Sequence, residues 1–235
     1  MKKIGLIGGM SWESSVIYYE ILNKKIREKL GGFHSANCIL ESVDFAEIEK
    51  YQKLGNWNIL DKLMAESAKN LENAGAEIII LCTNTMHLCA ESIKKNTSVS
   101  FLHIAEATGK QIRKQELNKV LLLGTKFTME KDFYKQALKE KFNIETIIPN
   151  ETDIETIHNI IYEELVHGMV TNKSRIEYQR IIEKSIEEGA EGVILGCTEI
   201  PLLIKEKDCT IPIFDTTTIH AEQAIELALE KKVSC

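Results

Sequence analysis

The sequence predicts an α/β fold built from two pseudo-symmetric parallel-sheet lobes, and three observations carry that expectation. Short β-branched runs alternate with longer amphipathic stretches along the chain, an order that implies parallel strands joined by right-handed helical crossovers. The short runs are nearly continuously apolar, as expected of strands covered on both faces. Segments also repeat. Ala74-Gly75-Ala76-Glu77-Ile78-Ile79-Ile80-Leu81-Cys82-Thr83 resembles Glu188-Gly189-Ala190-Glu191-Gly192-Val193-Ile194-Leu195-Gly196-Cys197-Thr198 with one residue inserted, and Lys3-Ile4-Gly5-Leu6-Ile7-Gly8 loosely parallels Lys119-Val120-Leu121-Leu122-Leu123-Gly124. Both offsets are about 115 residues, the mark of an internally duplicated architecture.

Taken in order, Lys3–Ile7 reads as an edge-to-core strand feeding a glycine turn, and Ala36–Ser42 as the next strand. Ile59–Ala74 is a helix, because Ile59, Leu60, Leu63, Met64, Ala68 and Leu71 recur at helical spacing. Gly75 stops it. Glu77–Leu81, Ser100–Ile104, Lys119–Leu123 and Ile144–Ile148 follow as strands. Asp153–His167 and Lys173–Glu188 are helices, Gly192–Leu195 and Ile211–Phe214 strands, and Thr218–Lys231 the closing helix. No Pro- or Ser-rich linker interrupts the chain. The expected lobes are residues 1–98 with 209–235, the last helix returning to the first lobe, and residues 99–208.

Composition excludes several classes of function. The net charge of −6, from 35 acidic and 29 basic residues spread along the chain, leaves no basic stripe for nucleic acid. No apolar run approaches the ~18 residues that span a bilayer. The N-terminal apolar stretch is too short for a secretory signal and breaks into glycines and Trp12-Glu13. Six irregularly spaced cysteines do not form a disulfide framework, which points to the reducing cytoplasm.

Ligands in open parallel sheets collect at the carboxyl ends of strands. Gly8–Ser14, Glu41–Phe45, Cys82–His87, Gly124–Thr128 and Cys197–Pro201 meet that condition. Cys82-Thr83-Asn84-Thr85 offers a thiol, two hydroxyls and an amide where a helix should begin, and Gly196-Cys197-Thr198-Glu199 does the same in the second lobe. A thiol at a helix N-terminus is expected to have a lowered pKa and so to take and return a proton near neutrality. A lone strand-end cysteine is more often a packing residue, and Cys38, Cys89 and Cys209 read that way, with Cys235 a tail thiol. Duplication of Cys-Thr after duplicated strands favours chemistry for Cys82 and Cys197, across a cleft between the lobes.

Other chemistries have less behind them. Gly5-Leu6-Ile7-Gly8-Gly9 lacks the dinucleotide-binding glycine spacing. No C-x-x-C pair or Cys/His cluster suggests zinc, and His87 and His103 read as satisfied core histidines. No metal or organic cofactor is expected.

Gly8-Gly9-Met10-Ser11-Trp12-Glu13-Ser14, Cys82-Thr83-Asn84-Thr85-Met86-His87 and Gly196-Cys197-Thr198-Glu199 together resemble the three signatures of the aspartate/glutamate racemase family. The likeness extends through Gly31-Gly32-Phe33-His34-Ser35-Ala36 and Phe214-Asp215-Thr216, and is nearest to the bacterial aspartate or broad amino-acid racemase branch. The resemblance implies two lobes with the active site between them, commonly a homodimer, and racemisation by two bases without pyridoxal phosphate. Cys82 and Cys197 would exchange the roles of thiolate base and thiol acid. It further implies that Met10, Ser11, Gln52, Thr83, Asn84, Thr85, Thr125, Thr128, Thr198 and Glu199 line the substrate, with Glu199 assisting Cys197.

Two departures from the family bear on substrate. Glutamate racemases resembling this chain carry Asp-Ser in the first loop, where Gly9-Met10-Ser11 stands here. Archaeal aspartate racemases tend to carry an Arg after the second strand and a Lys in the second lobe, where this chain has Val43-Asp44-Phe45 and Val166-His167-Gly168-Met169. His167 and Arg175 are the candidate replacements for a carboxylate-binding cation. The expected substrate is aspartate, with glutamate next. Another enzyme of the superfamily (a maleate isomerase, hydantoin racemase or decarboxylase), a neutral or broad-spectrum racemase, and a non-catalytic amino-acid sensor stand as alternatives.

Overall fold

The computed structural model describes residues 1–230; Cys235 and the end of the closing helix expected to reach Lys231 lie outside them. The chain divides into two compact units, Met1–Ile104 with the stretch from His220 onward, and Ala105–Ile219.

In the first unit the order is β1 (Ile4–Gly8), α1 (Trp12–Leu30), β2 (Cys38–Ser42), α2 (Phe45–Lys53), α3 (Trp57–Asn73), β3 (Ile78–Leu81), α4 (Ala90–Asn96) and β4 (Ser100–Leu102). α5 (Ile104–Lys114) leads away. The second unit holds β5 (Lys119–Gly124), α6 (Lys126–Glu130), α7 (Asp132–Phe142), β6 (Glu145–Ile147), α8 (Glu151–Glu163), α9 (Asn172–Glu187), β7 (Gly192–Gly196), α10 (Ile200–Leu203) and β8 (Ile213–Asp215), and α11 (Thr216–Leu229) closes the chain. The strands form two parallel four-stranded sheets, ordered β2-β1-β3-β4 and β6-β5-β7-β8.

All eight expected strands are present, and the two sheets have the same topology. Their coverage differs from expectation. The inner strands β1 and β3 are buried throughout, as is β7, while the edge strand β2 leaves Leu40 exposed and β4 and β6 each begin with an exposed residue. Two-sided coverage belongs to the centre of each sheet, and apolar composition alone does not distinguish centre from edge. β1 lies between β2 and β3 rather than at an edge.

The expected crossings near residues 98 and 209 precede the observed ones by one strand each. β4 pairs with β3 in the first sheet and β8 with β7 in the second, so the chain leaves the first unit after Ile104 and re-enters it at His220.

The repeat has a structural basis. After Gly75 and Gly189, both at positive φ, the duplicated glutamates return to the first strand of their own sheet. The Lys3 N–H donates to Glu77 Oε1 at 3.2 Å, and the Lys119 N–H to Glu191 Oε2 at 3.0 Å. The next strand then runs alongside, Leu6 opposite Ile80 and Leu122 opposite Ile194.

Each unit has its own apolar core. In the first, Ile7, Ile79 and Leu81 meet Ile48, Leu60, Met64, Ala68 and Leu71 from α2 and α3. Ile59, expected on the apolar face of α3, is exposed. In the second, Leu121, Leu123, Val193 and Leu195 meet Ile154, Ile157 and Ile161 of α8 and Tyr178, Ile181 and Ile182 of α9. Burying each such side chain contributes about 1.5–3 kcal/mol.

Candidate active site

The glycine turn after the first strand of each unit ends in a hydroxyl that caps a helix. Ser11 Oγ accepts the Ser14 N–H at 3.3 Å and opens α1, and Thr125 Oγ1 accepts the Thr128 N–H at 3.3 Å and opens α6. Such a cap is worth about 1 kcal/mol. Gly9 cannot be replaced in this turn. Its φ is +91°, and a Cβ would stand 2.2 Å from the Val43 carbonyl. Its N–H donates to Ser15 Oγ at 2.8 Å, which leaves Met10 and Ser11 buried beside the strand end.

Cys82 follows β3 directly. Its N–H donates to the Ile7 carbonyl at 2.9 Å, and the residue is fully buried. Asn84 and Thr85 are buried after it, while Thr83 is half-buried. Gln52 of α2 is buried over the same loop, and its Nε2 donates to Met86 Sδ at 3.0 Å. The first unit therefore gathers Met10, Ser11, Gln52 and Cys82–Thr85 around the carboxyl ends of β1 and β3.

Cys197 follows β7 in the same way. A Cβ on Gly196 would lie 2.7 Å from the Leu123 carbonyl and 3.3 Å from Thr128 Cγ2. Glycine here lets β7 close on β5 and on Thr128, whose hydroxyl lies 3.2 Å from that of Thr125. The Cys197 thiol donates to Glu199 Oε2 at 2.8 Å, and the Thr198 hydroxyl donates to the same oxygen at 2.7 Å. Thr198 and Glu199 are buried. Thr125, Thr128 and Cys197–Glu199 thus converge at the carboxyl ends of β5 and β7.

The thiols are not the acidified groups that their sequence position suggests. Burial pushes both above the ordinary thiol range. Cys38 adds to this at Cys82, and the Glu199 charge and its hydrogen bond add to it at Cys197. The helices after them explain the difference. Cys82 is followed by a 3-10 turn, Thr85–Cys89, and Cys197 by the four-residue α10, and elements this short carry little dipole. The Thr198 and Glu199 N–H groups do favour the Cys197 thiolate, but burial and the carboxylate outweigh them.

Of the two expected cations, Arg175 is engaged within its own unit and His167 is exposed. Arg175 Nη1 bonds the Leu203 carbonyl and lies 3.2 Å from Asp208 Oδ2, and His167 is exposed at the end of a 3-10 turn.

Sequence reasoning passed over Tyr178. Its fully buried hydroxyl has no hydrogen-bond partner among the described residues. Burial, then the charges of Cys197, Glu164 and Glu199, hold its phenol well above the usual range. The signal was present as a polar atom at helical spacing with Ile181 and Ile182, on a face that must be buried.

Cys38, Cys82, Cys89, Cys197 and Cys209 are free thiols. Among the described residues, no group of three or more His, Cys, Asp or Glu could hold a metal, and no helix is long and apolar enough to cross a membrane.

Each of the duplicated parallel sheets thus delivers a thiol and hydroxyls at the end of its third strand. The Asp/Glu/hydantoin racemase family model matches residues 7–224, and the chain belongs to that family. It is similar to a candidate Asp/Glu racemase from Yersinia pestis, with 49% identity and a TM-score of 0.93 over 98% of this chain and 100% of that one. It is also similar to an aspartate racemase homologue from Pyrococcus horikoshii OT3, with 41% identity and a TM-score of 0.86 over 98% and 100% of the two chains. The broad specificity amino-acid racemase RacX of Bacillus subtilis (strain 168) is 26% identical over 178 residues, 72% of this chain and 73% of RacX.

Proposed function

We propose that the chain is a cytoplasmic aspartate racemase that works without a cofactor, with Cys82 and Cys197 serving opposite faces of one α-carbon. The observation that carries this reading is the equivalence of the two thiols. Each follows the third strand of a like-ordered sheet, beside a hydroxyl-capped turn from the neighbouring strand. In each turnover one cysteine, as thiolate, takes the α-proton. The other, as thiol, gives a proton to the planar carbanion from the far side, and the roles reverse for the other enantiomer. Hydroxyl and amide groups of Ser11, Asn84, Thr85, Thr125, Thr128 and Thr198 hold the amino and carboxylate groups, with Met10, Gln52 and Thr83 beside them. Glu199 shares the Cys197 proton.

Replacing either thiol by serine is the direct test. Cys82→Ser and Cys197→Ser should each lower kcat/KM for racemisation more than a hundredfold, a loss of about 3 kcal/mol in transition-state stabilisation, while Cys38→Ser stays near native. Equal loss in Cys38→Ser overturns the assignment.

A second reading, a broad-spectrum amino-acid racemase, is favoured by the engagement of Arg175 with Asp208, which removes one cation that would select a side-chain carboxylate. Alanine or homoserine exceeding aspartate about tenfold in kcat/KM, a difference of about 1.4 kcal/mol, decides for that reading.

A homodimer is part of the proposal. Trp12, Val16 and Tyr19 form an exposed apolar stripe on α1, and light scattering of the purified protein should give twice the chain mass. A monomer at assay concentration rejects it.

A further inference from the structure

Behind the Cys82 loop lie three buried histidines that proton transfer by the thiols leaves unused. His87, His103 and His220 are 2%, 6% and 0% exposed. The His87 ring centroid is 4.6 Å from that of His103 and 5.7 Å from that of His220.

The hydrogen-bond partners of His87 and His220 assign the tautomers of those two rings. The Ile104 N–H donates to His87 Nε2 at 3.1 Å, so that nitrogen carries no proton. His87 Nδ1 then carries it and donates to the Thr83 carbonyl at 2.8 Å. His220 is the reverse. Its Nε2–H donates to the Leu102 carbonyl at 2.9 Å, and its Nδ1 accepts from the Tyr18 hydroxyl at 2.9 Å. Both nitrogens of both rings are thereby committed. A second proton on His87 Nε2 would face the Ile104 N–H and two adjoining imidazoles, and burial holds both rings neutral.

The bonded groups have informative places in the chain. Thr83 is the residue after Cys82. Ile104 is the last residue before the chain leaves the first unit, and His220 is the first after its return.

We infer that His87 is a positioning residue for Cys82: its fixed Nδ1–H tautomer sets the Thr83 carbonyl, and with it the direction of the thiol, while Nε2 ties that peptide to Ile104. His220 braces the ring from the other crossing. Neither ring exchanges a proton with substrate. The inference rests on the reading of Cys82 as an acid/base thiol.

The test joins kinetics with NMR of the ring nitrogens in the full-length, histidine-labelled protein. His87→Leu should lower kcat about a hundredfold, as expected for a reacting group displaced by about an ångström, with KM within about twofold of native. His87→Asn places an amide N–H near the former Nδ1–H and should recover kcat to within about tenfold of native. In the native protein, the His87 resonances should report the Nδ1–H tautomer and those of His220 the Nε2–H tautomer. An Nε2–H tautomer at His87 overturns the inference, as does native activity in His87→Leu. Equal inactivity of folded Asn and Leu variants overturns it as well. Should His87→Leu fail to fold, His87→Asn and the native spectrum decide. Cys82→Ser separates the two readings. If it is active, the thiol assignment falls and the inference with it; if it is inactive while His87→Leu is active, only the inference falls.

Discussion

Replacing Glu199 by Gln should lower the pKa of Cys197. The carboxylate accepts the thiol proton at 2.8 Å and is only 9% exposed, so it is poorly screened by solvent. A thiolate formed there faces a like charge and loses the charged acceptor that held its proton. A hydrogen bond to a charged group contributes about 1.5–3 kcal/mol, and one pKa unit is about 1.36 kcal/mol. Glu199→Gln should therefore move Cys197 down by about one to two units. The thiol remains above its ordinary range, because burial is the largest cause of the shift and the substitution leaves burial intact.

The measurement is a titration of isotope-labelled cysteine by NMR, with the Cys197 resonance assigned by its disappearance in Cys197→Ser. Alongside it, the limb of the kcat/KM profile that reports Cys197 should move to lower pH. Racemisation has an equilibrium constant of one, so kcat/KM must stay equal for the two enantiomers. A Cys197 midpoint that stays put or rises in Glu199→Gln refutes the pairing.

Three further outcomes are expected. Gly9→Ala combines a positive φ with a contact against the Val43 carbonyl and should cost about 3 kcal/mol or more in urea unfolding; Gly55→Ala, at φ +67° in open space, should cost only about 1–2 kcal/mol. Asp153 is held below the usual carboxylate range, chiefly by its hydrogen bond from Arg180. Its contribution, about 1–3 kcal/mol with Arg180 partly exposed, is present above the unfolded-state pKa and lost as pH falls through the folded value, so native protein and Asp153→Asn should differ at neutral pH and converge in acid. Arg175→Ala should lower the melting temperature without raising KM for aspartate more than for a neutral amino acid, because the guanidinium already serves Asp208 and Leu203.

The fold was legible because its evidence is periodic and local. Short apolar runs located all eight strands, and the Gly-Ala-Glu turn located the equivalent point in each unit. Which strand joins which sheet is not local. Ser100–Leu102 reads alike whether it closes the first sheet or opens the second, and its pairing with Ile78–Ile80 is decided by packing. Ser11 and Thr125 were named through the family resemblance, and their capping of α1 and α6 is a property of the folded turns. The commitments of Arg175 and His87 were not legible, because their partners lie 33 and 17 residues away.

The acidity of the thiols was misread because position along the chain reports a dipole but not desolvation. Both cysteines do precede helical turns, yet those turns are short and desolvation at the ends of two inner strands outweighs them. The resulting upward shift is what the proposed chemistry calls for. The α-proton of an amino acid is a far weaker acid than a free thiol, so a thiolate at the ordinary pKa is a feeble base for it. Burial raises the basicity of both sulfurs and narrows that gap from the enzyme's side. The cost is a scarce thiolate in the empty protein, which an arriving ammonium group offsets by bringing positive charge next to the sulfur. On this account substrate binding creates the active protonation state. An amino acid lacking its α-ammonium should then bind without prompting exchange of its α-proton, and exchange at the native rate from an N-acetylated substrate would break the argument.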